Sequence, residues 1–395
     1  MGKLAFAAAL ICACLLVVLA GCDVPTPPPE IATPTVGSQN PESDLSTFKT
    51  PLPPTPVRAS LTPLAVGHGS IYFVRNGNLW RVTPDGTNER QLSDLPVTSP
   101  PAPSPDGSLV AFISGRDLYV VPSAGGEARK LATGDMAERQ RVGWHPDGSL
   151  LGYMTYDPTT VGQEHAWAVQ VEGGVSALIA TVSHKALGRG ATFERLVKWS
   201  PDGKWVAVSN VTNPFRLLRW PLSTGREGDV RDIPGGEIDW SPDSRVILYT
   251  EAINGALGSF EVLKTEEGER FLNEQALVGT GLGEYAEGPL PQFSPASSGA
   301  DSDVIAYRSR TAEGDPQVAI RRRGGRELPP LDPLTNNPVW SPTGDRLVVE
   351  VGEMKDDPLG RLWSPTGLAI ASIDPEGNHT MSPLLADAKW PAWGR

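Results

Sequence analysis

A five-residue turn preceded by an aromatic recurs along this chain. Trp144-His145-Pro146-Asp147-Gly148 and Trp199-Ser200-Pro201-Asp202-Gly203 carry it in full. Trp240-Ser241-Pro242-Asp243-Ser244 and Trp340-Ser341-Pro342-Thr343-Gly344 are variants, Pro103-Ser104-Pro105-Asp106-Gly107 puts Pro in the aromatic's place, and Phe293-Ser294-Pro295 loses the Asp-Gly. Pro presets the first central turn position, Asp bonds to nearby backbone, and Gly accepts dihedrals that other residues resist. A chain punctuated this way has little room for long helices.

Each turn is followed by a short apolar run: Leu109 to Phe112, Leu150 to Tyr153, Trp205 to Val208, Val246 to Tyr249, Val304 to Tyr307 and Leu347 to Val349. A third strand comes next, as in Leu118-Tyr119-Val120-Val121 and Ala166-Trp167-Ala168-Val169, then a Gly-bearing turn such as Gly125-Gly126 or Gly173-Gly174, and a weaker fourth strand such as Arg129-Lys130-Leu131-Ala132. Four strands in about 40 to 50 residues is the pattern of a β-propeller blade. One such unit cannot bury both faces, so the units must pack on one another.

The two ends fit the same scheme. Residues 71 to 92 supply strands two, three and four without strand one, whereas Trp390 to Arg395 supply a strand one with nothing after it. The expected fold is all-β: a seven-bladed β-propeller of four-stranded antiparallel blades, closed by the C-terminal strand joining the first blade. Closure of that kind removes exposed sheet edges.

The Trp-Ser-Pro-Asp-Gly turn, apolar strand and Gly-Gly turn together resemble the TolB-like repeat, also called WD40-like or PD40, over nearly all of residues 67–395. The resemblance implies the propeller fold. The family includes a periplasmic partner of an envelope complex, propeller domains of serine peptidases and other exported proteins. The chain departs from the six-bladed envelope protein in its expected seven blades, its expected lipid anchor and the lack of a preceding small α/β domain.

Met1-Gly2-Lys3 and an apolar run from Leu4 to Ala20 have the layout of an export signal. Leu19-Ala20-Gly21-Cys22 resembles the bacterial lipobox, which implies cleavage before Cys22 and lipid attachment to its thiol. Residues 1–21 are thus expected to be a lipoprotein signal peptide, and residues 22–66 a lipidated cysteine with a disordered tether. The tether holds eleven Pro with many Ser and Thr, too little apolar surface to fold. Residues 67–395 are left for the propeller, held extracytoplasmically at a bacterial cell membrane. Cys12 and Cys14 lie within the signal, and the chain has 3 Cys in all, which excludes a disulfide framework. A net charge of -12 argues against a nucleic-acid partner.

Strands in a blade alternate in direction. The tight turns after strands one and three therefore share one face, and the longer connections after strands two and four share the other. Thr155 to His165, Ser183 to Glu194, Gln275 to Glu287 and Glu350 to Ser364 all fall on that long-loop face. Binding residues tend to ride on variable loops held by a rigid scaffold, so a protein or peptide partner is expected there. The candidate contact residues are Asp157, Glu164, His165, Lys185, Arg189, Tyr285, Asp356, Asp357, Arg361 and Trp363.

The repeated Asp106, Asp147, Asp202 and Asp243 read as turn caps, and the repeated Trp residues as blade-to-blade packing. Arg321-Arg322-Arg323 with Arg326 reads as a solvated basic run on the short-turn face. No Gly-x-Ser-x-Gly nucleophile motif and no His-x-x-x-His or His-x-His metal pair occurs. His165 and His184 lie on neighbouring long loops. No catalytic residue, metal ligand or cofactor is assigned, and Cys22 is the one assigned modification site. The expected function is a monomeric, exported, non-enzymatic binding module in envelope maintenance or sensing. The alternative is an extracytoplasmic glycosidase or lyase with acidic residues in the propeller mouth.

Overall fold

The computed structural model describes residues 69–137, 140–183, 194–209, 215–221, 230–233, 236–250, 257–265, 268–273, 291–296, 304–322, 327–357, 360–374 and 377–395, within one unit, Ser43–Arg395. Cys22 and the tether lie outside them. The recurring turn explains the local fold. In Trp199–Trp205 the Ser200 hydroxyl donates to Asp202 Oδ1 at 2.7 Å and accepts the Trp205 amide at 3.0 Å. Ser104, Ser241 and Ser341 make the same link to the strand that follows them. The buried hydroxyl thus joins the turn to the next strand. Gly107, Gly148, Gly203 and Gly344 close these turns with φ of 70–76°, and Ser244 takes the same place at φ 63°.

Among the described residues the strands form seven sheets, six of which carry four antiparallel strands. In chain order, the sheets after the first open with Ala102–Pro103, Gly143–Trp144, Arg195–Trp199, Gly236–Trp240, Gln292–Phe293 and Thr335–Trp340. The first sheet runs Lys389–Gly394, Ser70–Arg75, Asn78–Val82, Arg90–Ser93, so its first strand comes from the C-terminus. The fourth sheet gains an extra short strand, Gln140–Arg141, parallel to Arg195–Trp199. The molecule is an all-β propeller of four-stranded antiparallel blades.

The sixth sheet has three strands among the described residues: Gln292–Phe293, Val304–Arg310 and Pro316–Arg322. The segment beside it contains Pro329, Pro330 and Pro333. Proline has no amide hydrogen, so a full ladder cannot form. The amides of Leu328, Leu331 and Leu334 still reach the carbonyls of Ile320, Val318 and Pro316 at 3.0, 2.9 and 2.8 Å. A proline-broken edge therefore stands where the expected fourth strand would be.

The first-strand aromatics hold the sheets together. Trp199 packs with Met154 and Ala166 of the preceding sheet, Trp240 with Ala207 and Leu217, Trp340 with Ala306 and Ile320, and Trp393 with Val348 and Ile370. Trp144 Nε1 also donates to Ala102 O at 2.8 Å. Removing one such buried indole costs about 3–5 kcal/mol. First strands meet in turn: Gln292–Phe293 touches Gly236–Trp240 and Thr335–Trp340, and Lys389–Gly394 touches Thr335–Trp340 and Ala102–Pro103.

Two connections expected as long loops are largely strand. Leu150–Tyr156 pairs with Gln163–Gln170, which leaves only 157–162 as a loop. Arg346–Asp357 pairs with Gly360–Ile373 out to Asp357 and Gly360, so Glu350 to Ser364 is an extended hairpin. Alternation continues past the blade because Met354 and Trp363 form a cross-strand pair.

Candidate functional site at the propeller mouth

Among the described residues, those expected on the long-loop face do not gather at one point. His165 Nε2 lies 3.3 Å from Asp157 Oδ2, and Asp157 accepts the Thr159 hydroxyl and amide, both at 2.7 Å. The Thr159 hydroxyl, then its amide, hold the Asp157 carboxyl below the usual range. Glu164 is fully buried and pairs with Arg195 at 2.6 Å, so it is a structural ion pair rather than a surface contact. Arg361 reaches Asp315 at 3.1 Å, and Asp356 is exposed across the hairpin from Arg361. Trp363 lies over Gly352, where an added Cβ would sit 2.7 Å from the indole. Lys185, Arg189, Tyr285 and His184 lie outside the described residues, and the side chain of Asp357 is not among those described.

The turn aspartates cap turns. Asp106 accepts the Ser104 and Ser108 hydroxyls, Asp147 the Ser149 amide at 2.8 Å, and Asp243 the Arg245 amide at 3.0 Å. His145 replaces the turn serine, with Nδ1 2.7 Å from Asp147. Burial acts upward on Asp147, and the Ser149 hydroxyl and amide together with His145 outweigh it, which leaves the carboxyl below the usual range. Arg321 does not belong to a solvated basic run. It is buried in Pro316–Arg322, while Arg323 and Arg326 lie outside the described residues.

A different set of side chains converges. A cavity of about 610 Å³ is lined by residues of several sheets. Gly115 follows a second strand, and Pro100 and Met136 follow fourth strands, so the cavity opens on the long-loop face. One wall carries Pro100, Ile113, Met136 and Ala137; another carries Glu194, Arg308 and Asn337; Trp390 also lines it.

The polar wall is a network. Glu194 pairs with Arg141 and lies 3.5 Å from Arg308. The Arg308 guanidinium donates to Asn337 Oδ1, and Asn337 Nδ2 donates to Glu350 Oε2 at 2.6 Å. The other Glu350 oxygen accepts the Trp390 amide at 2.7 Å. Burial pushes the Glu350 carboxyl above its ordinary value, against the pull of the Trp390 amide, Asn337, Arg308 and Arg141. Burial acts downward on Arg141, and its carboxylate neighbours, Glu194 foremost, more than offset this.

Backbone geometry helps to build this mouth. Glu237, Asn337 and Trp390 have φ of 21, 46 and 54°, and each lies where a first strand shifts register against its second strand. Such bulges re-aim side chains next to functional sites.

No spacing along the chain hints that these residues converge. A signal does exist, however. Three places after the residue paired with the first-strand aromatic, the second strands carry Val74, Ile113 and Met154, then Ser209, Thr250, Arg308 and Glu350. All seven are buried. A buried strand position that changes from apolar to polar partway along the repeats marks the side on which polar groups meet.

The fold and its turn chemistry make this chain a β-propeller whose repeated turns resemble the TolB-like repeat. No family model matches the sequence. The chain is 32% identical over 114 residues to tricorn protease homolog 1 of Streptomyces coelicolor, covering 27% of this chain and 11% of that protein. It is 28% identical over 189 residues to putative tricorn protease homolog 2 of the same organism, covering 46% and 12%. The matched segments thus span about a tenth of either relative's length. Among solved structures, the chain resembles a putative 6-phosphogluconolactonase from Bacteroides fragilis with a TM-score of 0.52 at 15% identity, covering 81% of this chain and 95% of that one. That likeness concerns the fold alone. TolB from Acinetobacter baumannii is similar with a TM-score of 0.42 at 16% identity, over 82% of each chain.

Proposed function

We propose that this chain is an exported, membrane-anchored lipoprotein whose propeller is a non-enzymatic protein- or peptide-binding module. Cys22 carries the lipid, residues 23–66 lift the propeller off the membrane, and the seven sheets are seven blades of one ring. The strand Lys389–Gly394 closes that ring by pairing with Ser70–Arg75 and touching the first strands on either side. The partner binds the long-loop face of a monomeric propeller, in envelope maintenance or sensing.

One observation carries the binding reading: the ionisable groups at the mouth are engaged with one another. Glu194 is held by Arg141 and Arg308, and both oxygens of Glu350 accept hydrogen bonds. Groups neutralised this way shape a surface more readily than they move protons. The repeat likeness to proteins named as protease homologues accords with a peptide ligand.

The enzymatic reading has its own support. Glu194 lines the cavity and Glu350, with its raised carboxyl, lies one residue behind it through Asn337. A glycosidase or lyase would use such a pair. Two tests separate the readings. Full-length protein, solubilised in mild detergent, should recover a partner from membranes, and deletion of residues 353–364 should weaken that recovery. Turnover of an oligosaccharide, lost in Glu194→Gln, with no partner recovered, would favour the enzyme. For the anchor, Cys22→Ser should release the protein from the membrane fraction. Unchanged retention would sink the lipid attachment.

A further inference from the structure

We propose that the axial cavity seats one large apolar side chain from a cationic peptide, held between Trp390 and the wall formed by Ile113 and Met136. This deepens the binding function proposed above and rests on it.

The polar groups around the cavity already have partners within the protein. The Thr98 hydroxyl donates to Ile113 O at 3.2 Å. Gln140 donates to Ala137 O and Met154 O at 2.7 and 2.9 Å and accepts the Met154 amide at 2.8 Å. Asn337 uses both ends of its amide, on Arg308 and Glu350. A ligand that bonded to these groups would first have to displace an internal partner, for little net gain. The gain lies in covering Pro100, Met136 and Trp390, which are only half-buried, over a floor of buried Ile113 and Ala137.

The cavity has the size and construction of a site. Its volume of about 610 Å³ falls within the usual range for ligand pockets and exceeds what one side chain fills, leaving room for flanking main chain. Asn337 and Trp390 are held in the left-handed region at two strand bulges, a strained arrangement that clusters at ligand sites. Met136 gives the apolar wall an adaptable element. The chain's net charge of -12 draws cationic peptides and repels acidic ones.

The test uses the full-length protein in detergent and three blocked tripeptides, followed by calorimetry: acetyl-Lys-Phe-Lys-amide, acetyl-Lys-Ser-Lys-amide and acetyl-Glu-Phe-Glu-amide. The Phe peptide with Lys flanks should bind about tenfold or more tighter than the Ser peptide, as expected from burying one aromatic side chain. It should also bind tighter than the Glu-flanked peptide. Met136→Lys and Trp390→Ala should each remove that preference, while Val175→Lys, in an exposed turn on the opposite face, should keep it. Thermal melts identify any variant that has failed to fold, and the other then decides. Equal binding of the Phe and Ser peptides, or unchanged binding by a folded mouth variant, overturns the proposal. If recovery of a membrane partner persists alongside that result, the seating of an apolar side chain in the cavity fails and the binding function stands. If recovery is lost too, both fail.

Discussion

Glu350 Oε1 accepts the backbone amide of Trp390 at 2.7 Å, which joins the second strand of the last sheet to the C-terminal strand. The bond lies at the mouth of the propeller, beside the cavity that Trp390 lines. It places a buried carboxylate at the seam between the two ends of the repeat.

That carboxylate sets a pH dependence. Burial raises the folded value of Glu350 above 4.5. Between 4.5 and the folded value, the unfolded chain has lost its proton and the folded protein keeps it. Stability should therefore fall as pH rises through this window, by up to about 1.4 kcal/mol per pH unit, and level off above it. The aspartates lowered by hydrogen bonds, Asp85, Asp117, Asp147, Asp157 and Asp345, act the opposite way and only below 3.8. Glu350→Gln should flatten the upper window alone. Urea unfolding across pH 4 to 8 measures this, and an unchanged slope in the variant would count against it.

The turn serines should matter more than their small size implies. Ser241 is fully buried, donates to Asp243 at 2.6 Å and accepts the Val246 amide at 2.8 Å. Ser241→Ala leaves a buried amide without that acceptor and should cost about 1–3 kcal/mol. Denaturant titration of the variant checks the figure.

Gly152 marks a close approach between the third and fourth sheets. Equivalent places in other second strands hold Ala111, Ala207 and Ala306. At Gly152 an added Cβ would lie 2.4 Å from Val197 Cγ1 and 2.8 Å from the Trp199 ring. Gly152→Ala should destabilise by about 1–3 kcal/mol through overpacking, where helix or strand propensity alone would favour Ala. A melting temperature equal to that of the parent would contradict it.

Deleting Trp390 to Arg395 removes the strand that pairs with Ser70–Arg75, and with it the packing of Trp393 on Val348 and Ile370. The truncated protein should lose cooperative unfolding or expose an aggregating edge. Light scattering and thermal melts read this directly, and full stability would overturn ring closure.

Local rules made most of the scaffold legible. Pro105-Asp106-Gly107 and its repeats located the turns, and the runs after them located the second strands, since turn chemistry and period-two patterning act over a few residues. Trp144, Trp199, Trp240, Trp340 and Trp393 pack between sheets as their repetition implied. The mouth was hidden for the opposite reason. Arg141, Glu194, Arg308, Asn337 and Glu350 are far apart in the chain and come together only after the sheets stack. Glu164 looked like a loop contact, yet strand pairing buries it against Arg195. The hairpin at Arg346–Asp357 looked like a loop because Gly352 and Pro365 interrupt its apolar pattern, although they face each other across the two strands.

The direct test of binding at the mouth is site-specific photocrosslinking in living cells. A benzophenone side chain placed at Met136, on the cavity wall, should form a covalent adduct with a partner. The same group at Asp147, in a tight turn on the other face, should form none. Adducts at Asp147 with none at Met136 would contradict binding at the mouth.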